Sequence, residues 1–449
     1  MTRSTAIVVV AAVAFGLVLL QTTAVNLALP AIRDALDADV DGLQWCASAY
    51  AVIVASTLLP AGVVCDRIGA SRGLAIGLVV LIAGAVVSSS APSVAVIVVG
   101  QGIAGLGAAF VLPGATGVLV EATPVGPARA RAVGLLGVGS AVGFGAGPLV
   151  AGGLASAVGW RGVFVAPAVL VTLVLVAALL VVPPSARRTT PGPHPLAVVA
   201  TVLMVGGLAF LLIDGNAHGW WRPTPAVALL AVVALAFGLV RSGDAGLPAV
   251  LPPRLWRRPG FRLMLVLGLG HTAGIYGMLF VVSLVVPAAA GVSVWTLGLL
   301  LMPQAIGSGL VAPLSARWVG RVGSRRPMIA GCIGCGLGTG IFLAAGAERL
   351  VPLVAVGALL CGIGGGTVMP ALTTAVTVAS PADLVGAGSG TFNAFRQLGT
   401  VTGVALVGAT TAFADPLVGL RVASAICVGI FLVSTVAVVW WWPRYHVVP

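Results

Sequence analysis

The chain has 449 residues, 59% of them hydrophobic and only 8% charged. Soluble globular domains carry about 25% charge, so a water-soluble fold is excluded. The 23 basic residues, all arginine, outweigh 11 acids for a formal net charge of +12.

Runs of about 20 apolar residues, each able to cross roughly 30 Å of hydrocarbon, recur from end to end. Fourteen segments are read, at 7–30, 45–64, 73–90, 94–119, 133–156, 160–182, 196–213, 223–240, 263–287, 293–314, 327–346, 350–372, 385–411 and 419–442. The first is longer than a secretory signal core of ~7–15 residues and lacks a small-x-small cleavage site, so it is expected to be retained. It contains "LQTTAVN", which places Gln21, Thr22, Thr23 and Asn26 in an otherwise apolar run. Thr22 and Asn26, four residues apart, share one helix face.

The arginines sort by loop. With the N-terminus inside, the loops read as cytoplasmic hold most of them, including Arg67, Arg72, Arg129, Arg131, Arg187, Arg188, Arg258, Arg321 and Arg326. The external loops hold only Arg33, Arg161, Arg222, Arg349 and Arg421, and the first external loop is acidic at Asp34, Asp37, Asp39 and Asp41. This positive-inside bias puts both termini in the cytoplasm, and the basicity orients the protein rather than binding nucleic acid.

Two polar stretches, 183–195 and 241–262, divide the segments into six, two and six. The expected organisation is a bundle over 1–184, a linker with two extra helices over 185–262, and a second bundle over 263–449. Many transporters are built from such duplicated bundles. "CDRIGASR" after segment 2 and "GRVGSRR" after segment 10 support a duplication, because setting Gly69 against Gly323 aligns Arg67 with Arg321 and Arg72 with Arg326. "GQGIAGLGAA" at 100–109 has the glycines of a dinucleotide loop but no strand–turn–helix around it, so close helix packing is the better reading. Cys332-x-x-Cys335 lacks a second ligand pair for zinc, and all six cysteines lie in or beside apolar segments, so neither metal nor disulfides are expected.

These motifs together resemble the major facilitator superfamily, specifically its fourteen-helix drug:proton antiporter branch of bacterial multidrug and natural-product exporters. "GVVCDRIGASR" (62–72) is similar to the family's loop 2–3 signature, with Gly62, Asp66, Arg67, Gly69 and Arg72 in register. "GVGSAVGFGAGPLVAGG" (137–153) resembles the antiporter motif of helix 5 at Gly143, Gly147, Pro148 and Gly152. "VNLALPAI" (25–32), "HGWW" (218–221) and "RQLGTVTGVAL" (396–406) also match that branch. The resemblance implies an all-α major facilitator fold of two six-helix bundles with two extra helices between them. It also implies a conformational latch at Asp66, Arg67 and Arg72. From the residues alone, Asp66 can cap the following helix or pair with Arg67, Arg72 or Arg129. The glycines of segment 5 permit close packing, and Pro148 favours a bend.

Two positions depart from the branch. It usually presents an aspartate where Gln21 stands and an arginine where Gln101 stands. Gln21 lies about 13 Å below the end of its segment at Pro30, and Gln101 roughly 10 Å below the start of its own. Both helices line the central cavity of the resembled fold, so Gln21 is expected to face either that cavity or Gln101, with a hydrogen bond between the two amides in the second case. An amide cannot titrate, and no acid falls within the hydrocarbon. His271, ~15 Å along segment 9, is a candidate for proton coupling, for substrate contact or for structure. Arg396, about 11 residues into segment 13, is a candidate for a structural or gating role or for anion contact. Gln21, Thr22, Asn26, Gln101, His271 and Tyr276 are the expected cavity residues.

The expectation is a secondary exporter of a hydrophobic small molecule in a bacterial plasma membrane. It is not an enzyme, works as a monomer without cofactor or metal, and has a proton gradient as candidate driving force. No P-loop supports ATP-driven pumping. The alternatives are an uncoupled facilitator, a lipid-moving transporter, or a transport-inactive membrane sensor. With no intramembrane acid to offset a cation, substrates are expected to be neutral or anionic.

Overall fold

A computed structural model describes residues 3–124, 127–185, 195–218, 227–234, 253–380 and 384–441, and among these no strand occurs. The helices are α1 (Arg3–Leu36), α2 (Val40–Ile68), α3 (Ala70–Ser89), α4 (Val94–Ala122), α5 (Pro127–Val158), α6 (Gly162–Val181) and α7 (Pro195–His218). Of the eighth segment 227–234 is described, and it is helical (α8). Then follow α9 (Pro259–Ala290), α10 (Val294–Val322), α11 (Arg325–Gly340), α12 (Leu350–Ala379), α13 (Val385–Gly408) and α14 (Pro416–Trp441).

Among the described residues nine helices are long and apolar enough to span a membrane: α1, α3, α4, α6, α9, α10, α11 with its continuation to Ala344, α12 and α14. A tenth is α2, bent by 58° between Val40–Leu58 and Pro60–Ile68. Pro60 explains the bend, since it removes one backbone donor and crowds the preceding turn. α5 and α13 stand where segments 5 and 13 are expected, but arginine, glycine and hydroxyl residues dilute their apolar runs. The described apolar part of α7 is shorter, Val202–Gly215. From Gly219 onward the "HGWW" motif lies outside the described residues, as does most of the polar linker.

Beyond the apolar segment read at 7–30, α1 continues as helix to Leu36. Proline carries no N–H, so the Asn26 carbonyl has no i+4 donor although the helix continues. The acidic residues beyond it serve helix ends: Asp39 caps α2, its carboxylate accepting from the Gly42 N–H at 2.8 Å. All six cysteines are free and buried.

The chain divides into two compact units, Met1–Val202 and Leu203–Pro449. In the first, α1 packs on α5, α2 on α4, and α3 on α4 and α6; in the second, α9 packs on α13, α10 on α12, and α11 on α12 and α14. The same pairing plan thus occurs twice, and local details repeat with it. Gly69 closes α2 at φ +98° and Gly323 closes α10 at φ +76°, each donating its N–H to a carbonyl four residues back at 2.9 Å. Only glycine enters that backbone region freely, which is why the two aligned in sequence. Arg161, at the start of α6, donates to Ala91 O beyond α3 at 3.1 Å; Arg421, early in α14, does the same to Ala345 O beyond α11.

In lipid, close van der Waals contact rather than water exclusion drives helix association. The α1–α5 seam illustrates this. A Cβ at Gly139 would run into Ala12 O, one at Gly143 into Gly16 O, and one at Gly147 into the Thr23 hydroxyl. In the second unit Gly399 meets Leu269 O and the Thr272 hydroxyl, Gly403 meets Ala273 O, and a Cβ on Gly277 would sit 2.6 Å from Gly403 O. Pro148 and Gly152 lie buried on α5.

Candidate functional site

Each unit holds one set of buried polar side chains. In the first, Gln21, Thr22, Thr23 and Asn26 are all more than nine-tenths buried on α1. The Thr22 hydroxyl donates to Val18 O at 3.1 Å, and Asn26 Nδ2 donates to Thr22 O at 3.4 Å, so the expected common face of Thr22 and Asn26 is realised. On α2, Gln44 and Ser48 are buried one turn apart, and the Tyr50 hydroxyl donates to Val18 O at 3.1 Å, setting the register of α2 against α1. On α4, Gln101 is fully buried.

These groups are notable for what they do not bond. Gln101 Oε1 and Nε2, Gln44 Oε1, Ser48 Oγ and Asn26 Oδ1 are buried without a hydrogen-bond partner. The bond expected between Gln21 and Gln101 is therefore not formed. Gly100 is wedged against Ser88 of α3 and Gly105 against Tyr50 O of α2, which fixes α4 in rotation and depth and leaves its amide unmatched. An unpaired buried amide costs about 1–3 kcal/mol, a cost that a stability-only sequence has no reason to carry.

The second set lies in the other unit. His271 on α9 is 7% exposed, its ring edge-on to Phe431 of α14 at 6.1 Å, and its Nδ1 has no partner. Arg396 on α13 donates through Nη1 to Asn393 Oδ1 at 3.1 Å, and its Nε is unpaired. The Thr272 hydroxyl donates to Arg396 O at 2.6 Å, so His271 and Arg396 sit at one level of adjacent helices. Tyr276 is buried one turn beyond Thr272 on the same helix. Thr23 and Thr272 each abut a glycine of the partner helix, Gly147 and Gly399, so the repeat places His271 where the first unit has Thr22.

The loop 2–3 signature forms a further group within the first unit. Asp66 lies in the last turn of α2, so it does not cap α3; the N-cap there is Gly69, which offers no side chain. Arg72 Nη1 donates to Ile68 O at 3.1 Å. Ser185, just past α6, is held against this loop: Ser71 N–H donates to Ser185 Oγ at 3.0 Å and Ser185 N–H to Ser71 Oγ at 2.8 Å. Ser185 Oγ in turn donates to Glu121 Oε2 at 2.5 Å. Sequence reasoning missed Gln44, Ser48, Asn393 and Ser185. The first two repeat the i, i+4 signal of Thr22 and Asn26, and Asn393 stands three residues before a half-buried arginine; nothing local marks Ser185.

Among the described residues the acids lie near helix ends or between helices. Asp34 and Glu121 are exposed in the last turns of α1 and α4, and among the described residues no group of His, Cys, Asp and Glu could hold a metal.

Duplicated helical units of membrane-spanning length with polar groups at mid-span define a polytopic membrane protein of the transporter class, not an enzyme. The chain belongs to the Major Facilitator Superfamily, whose family model matches residues 11–404 and 265–448. It is 31% identical over 402 residues to the multidrug resistance protein Stp of Mycobacterium tuberculosis, covering 88% of this chain and 74% of that one. It is 28% identical over 421 residues to the methylenomycin A resistance protein of Bacillus subtilis, covering 91% and 88%. The resemblance to bacterial multidrug and antibiotic-resistance exporters read from the motifs is borne out by these relatives. Among solved structures, a POT family transporter in complex with a thioalcohol-conjugated peptide superposes with a TM-score of 0.74 over 98% of this chain and 96% of that one, at 13% identity. The human organic anion transporter MFSD10 gives 0.65 over 98% and 100%, at 16% identity. At such identities the likeness is one of fold.

Proposed function

We propose that the protein is a secondary exporter of a hydrophobic drug or natural product, working by alternating access between two six-helix bundles in a bacterial plasma membrane, with both termini cytoplasmic. It acts as a monomer and needs no cofactor. The reading is supported by the export and resistance roles in the relatives' names. The observation that carries it is the unpaired Gln101 amide with its polar neighbours, hydrogen-bonding capacity held inside membrane helices at a cost that ligand contact offsets. Asp66, Arg67 and Arg72 act in conformational cycling rather than substrate contact.

A second reading, an uncoupled facilitator, is favoured by one specific observation: Gln21 and Gln101 cannot titrate, and the nearest acids are exposed at helix ends. Flux of candidate compounds in proteoliposomes, with and without an imposed pH gradient, decides between them. Gradient-driven accumulation that His271→Gln abolishes supports coupling through that ring, whereas gradient-independent equilibration supports the facilitator. No flux of any compound points to a transport-inactive sensor. Restoring the branch's charges with Gln21→Asp and Gln101→Arg should increase gradient dependence.

A further inference from the structure

Arg396 is a permanent cation about 16 Å from the Val385 end of α13, near the middle of a span. Its Nη1 donates to the neutral Asn393 Oδ1, and its Nε is unpaired. Described acids of this unit, Asp214, Glu348 and Asp415, lie within about one turn of helix ends or between helices. A half-buried guanidinium with no ion pair among the described residues is costly to hold, and its planar fork suits a carboxylate or similar oxyanion. The surroundings also fix it. Asn393 Nδ2 donates to Ser389 O at 3.0 Å, so the amide that receives Nη1 is itself oriented. The Thr272 hydroxyl on Arg396 O and the Gly399 contact lock α13 onto α9 at that level. The buried His271, with Nδ1 unpaired, adds a second polar group on the adjoining helix.

We infer that Arg396, oriented by Asn393 and flanked by His271 and Tyr276, binds the oxyanion of a lipophilic acid, which makes hydrophobic monocarboxylates a preferred ligand class. The inference rests on the exporter reading, but a binding assay tests it separately from flux.

The probe pair is 1-pyrenebutyric acid and its methyl ester, which differ in charge and little in shape, titrated into detergent-purified protein. The wild-type protein should bind the acid at least about tenfold more tightly than the ester, and Arg396→Gln should erase that preference by weakening the acid alone. Arg396→Lys keeps the charge but loses the fork, so it should retain part of the preference; it also serves if the glutamine variant misfolds. Asn393→Ala should reduce the preference less than Arg396→Gln, as expected of a positioning residue. Equal wild-type affinity for acid and ester, or no binding of either, overturns the inference. So does an equal loss of both ligands in Arg396→Gln, which marks a structural role, or displacement of the acid by millimolar chloride as readily as by unlabelled acid, which marks an inorganic anion site. Discrimination of acid from ester without flux in proteoliposomes leaves the site standing and refutes the exporter.

Discussion

Replacing Gly69 and Gly323 by alanine, one at a time, separates backbone strain from contact. Both glycines have φ and ψ values that side chains avoid, +98° and 139° for Gly69, +76° and 176° for Gly323. Each alanine therefore costs about 1–3 kcal/mol in backbone strain. At Gly323 nothing lies within 4 Å of the new methyl, so the cost ends there. At Gly69 the methyl meets Ser185 O at 2.8 Å and Ser185 Cβ at 3.1 Å. Backbone cannot turn aside as a flexible side chain can, so overpacking adds about 1–3 kcal/mol. Gly69→Ala should thus be the more destabilising by roughly 1–3 kcal/mol. Thermal unfolding in detergent can be followed with a fluorogenic thiol dye, because all six cysteines are free and buried until the fold opens. Ser185→Ala should cost less in the Gly69→Ala background than in the wild type, because displacing Ser185 already weakens the bonds of its hydroxyl to Ser71 and Glu121. If Gly323→Ala melts at or below the temperature of Gly69→Ala, the contact at Ser185 does not exist as described.

Val40→Cys should react with an impermeant thiol reagent from outside intact cells, and Thr189→Cys only from inside; the reverse pattern refutes the orientation. Asp66→Asn should slow turnover while leaving substrate affinity within about threefold, under ~0.7 kcal/mol. A large affinity loss at normal turnover in that variant assigns Asp66 to the substrate instead. Gln101→Met should raise the melting temperature, since it removes an unpaired amide worth about 1–3 kcal/mol, while reducing flux. A variant that melts lower with flux intact shows that the amide is bonded and serves stability.

The sequence was most legible where local physics acts alone. Apolar run lengths located the helices, and the Gly69–Gly323 alignment found the duplication because a positive φ leaves few other residues to choose. Legibility failed where partners are distant in the chain. Whether Gln101 meets Gln21 depends on how Gly100 and Gly105 seat α4 against α3 and α2, which no local pattern encodes. The helix beyond Pro30 was not legible because apolar run length marks the membrane-crossing part alone, and a helix can continue past a proline at the loss of one hydrogen bond. Ser185 was invisible, since its partners Ser71 and Glu121 are 114 and 64 residues away.

The glycine seams have a mechanical consequence. On α5 and α13 the gaps left by missing side chains receive backbone and hydroxyl oxygens of α1 and α9, and those oxygens act as detents. Sliding one helix along its partner by a single residue, about 1.5 Å, would unseat them all at once. Each pair is therefore a two-strand beam with almost no shear freedom. Gln21 and Thr22 ride on one beam, His271 and Arg396 on the other, so their positions carry little slack. Motion within a unit must be taken up at seams without detents, and the 58° bend of α2 at Pro60, where the helix has already lost a hydrogen bond, is the place with the least to lose by moving.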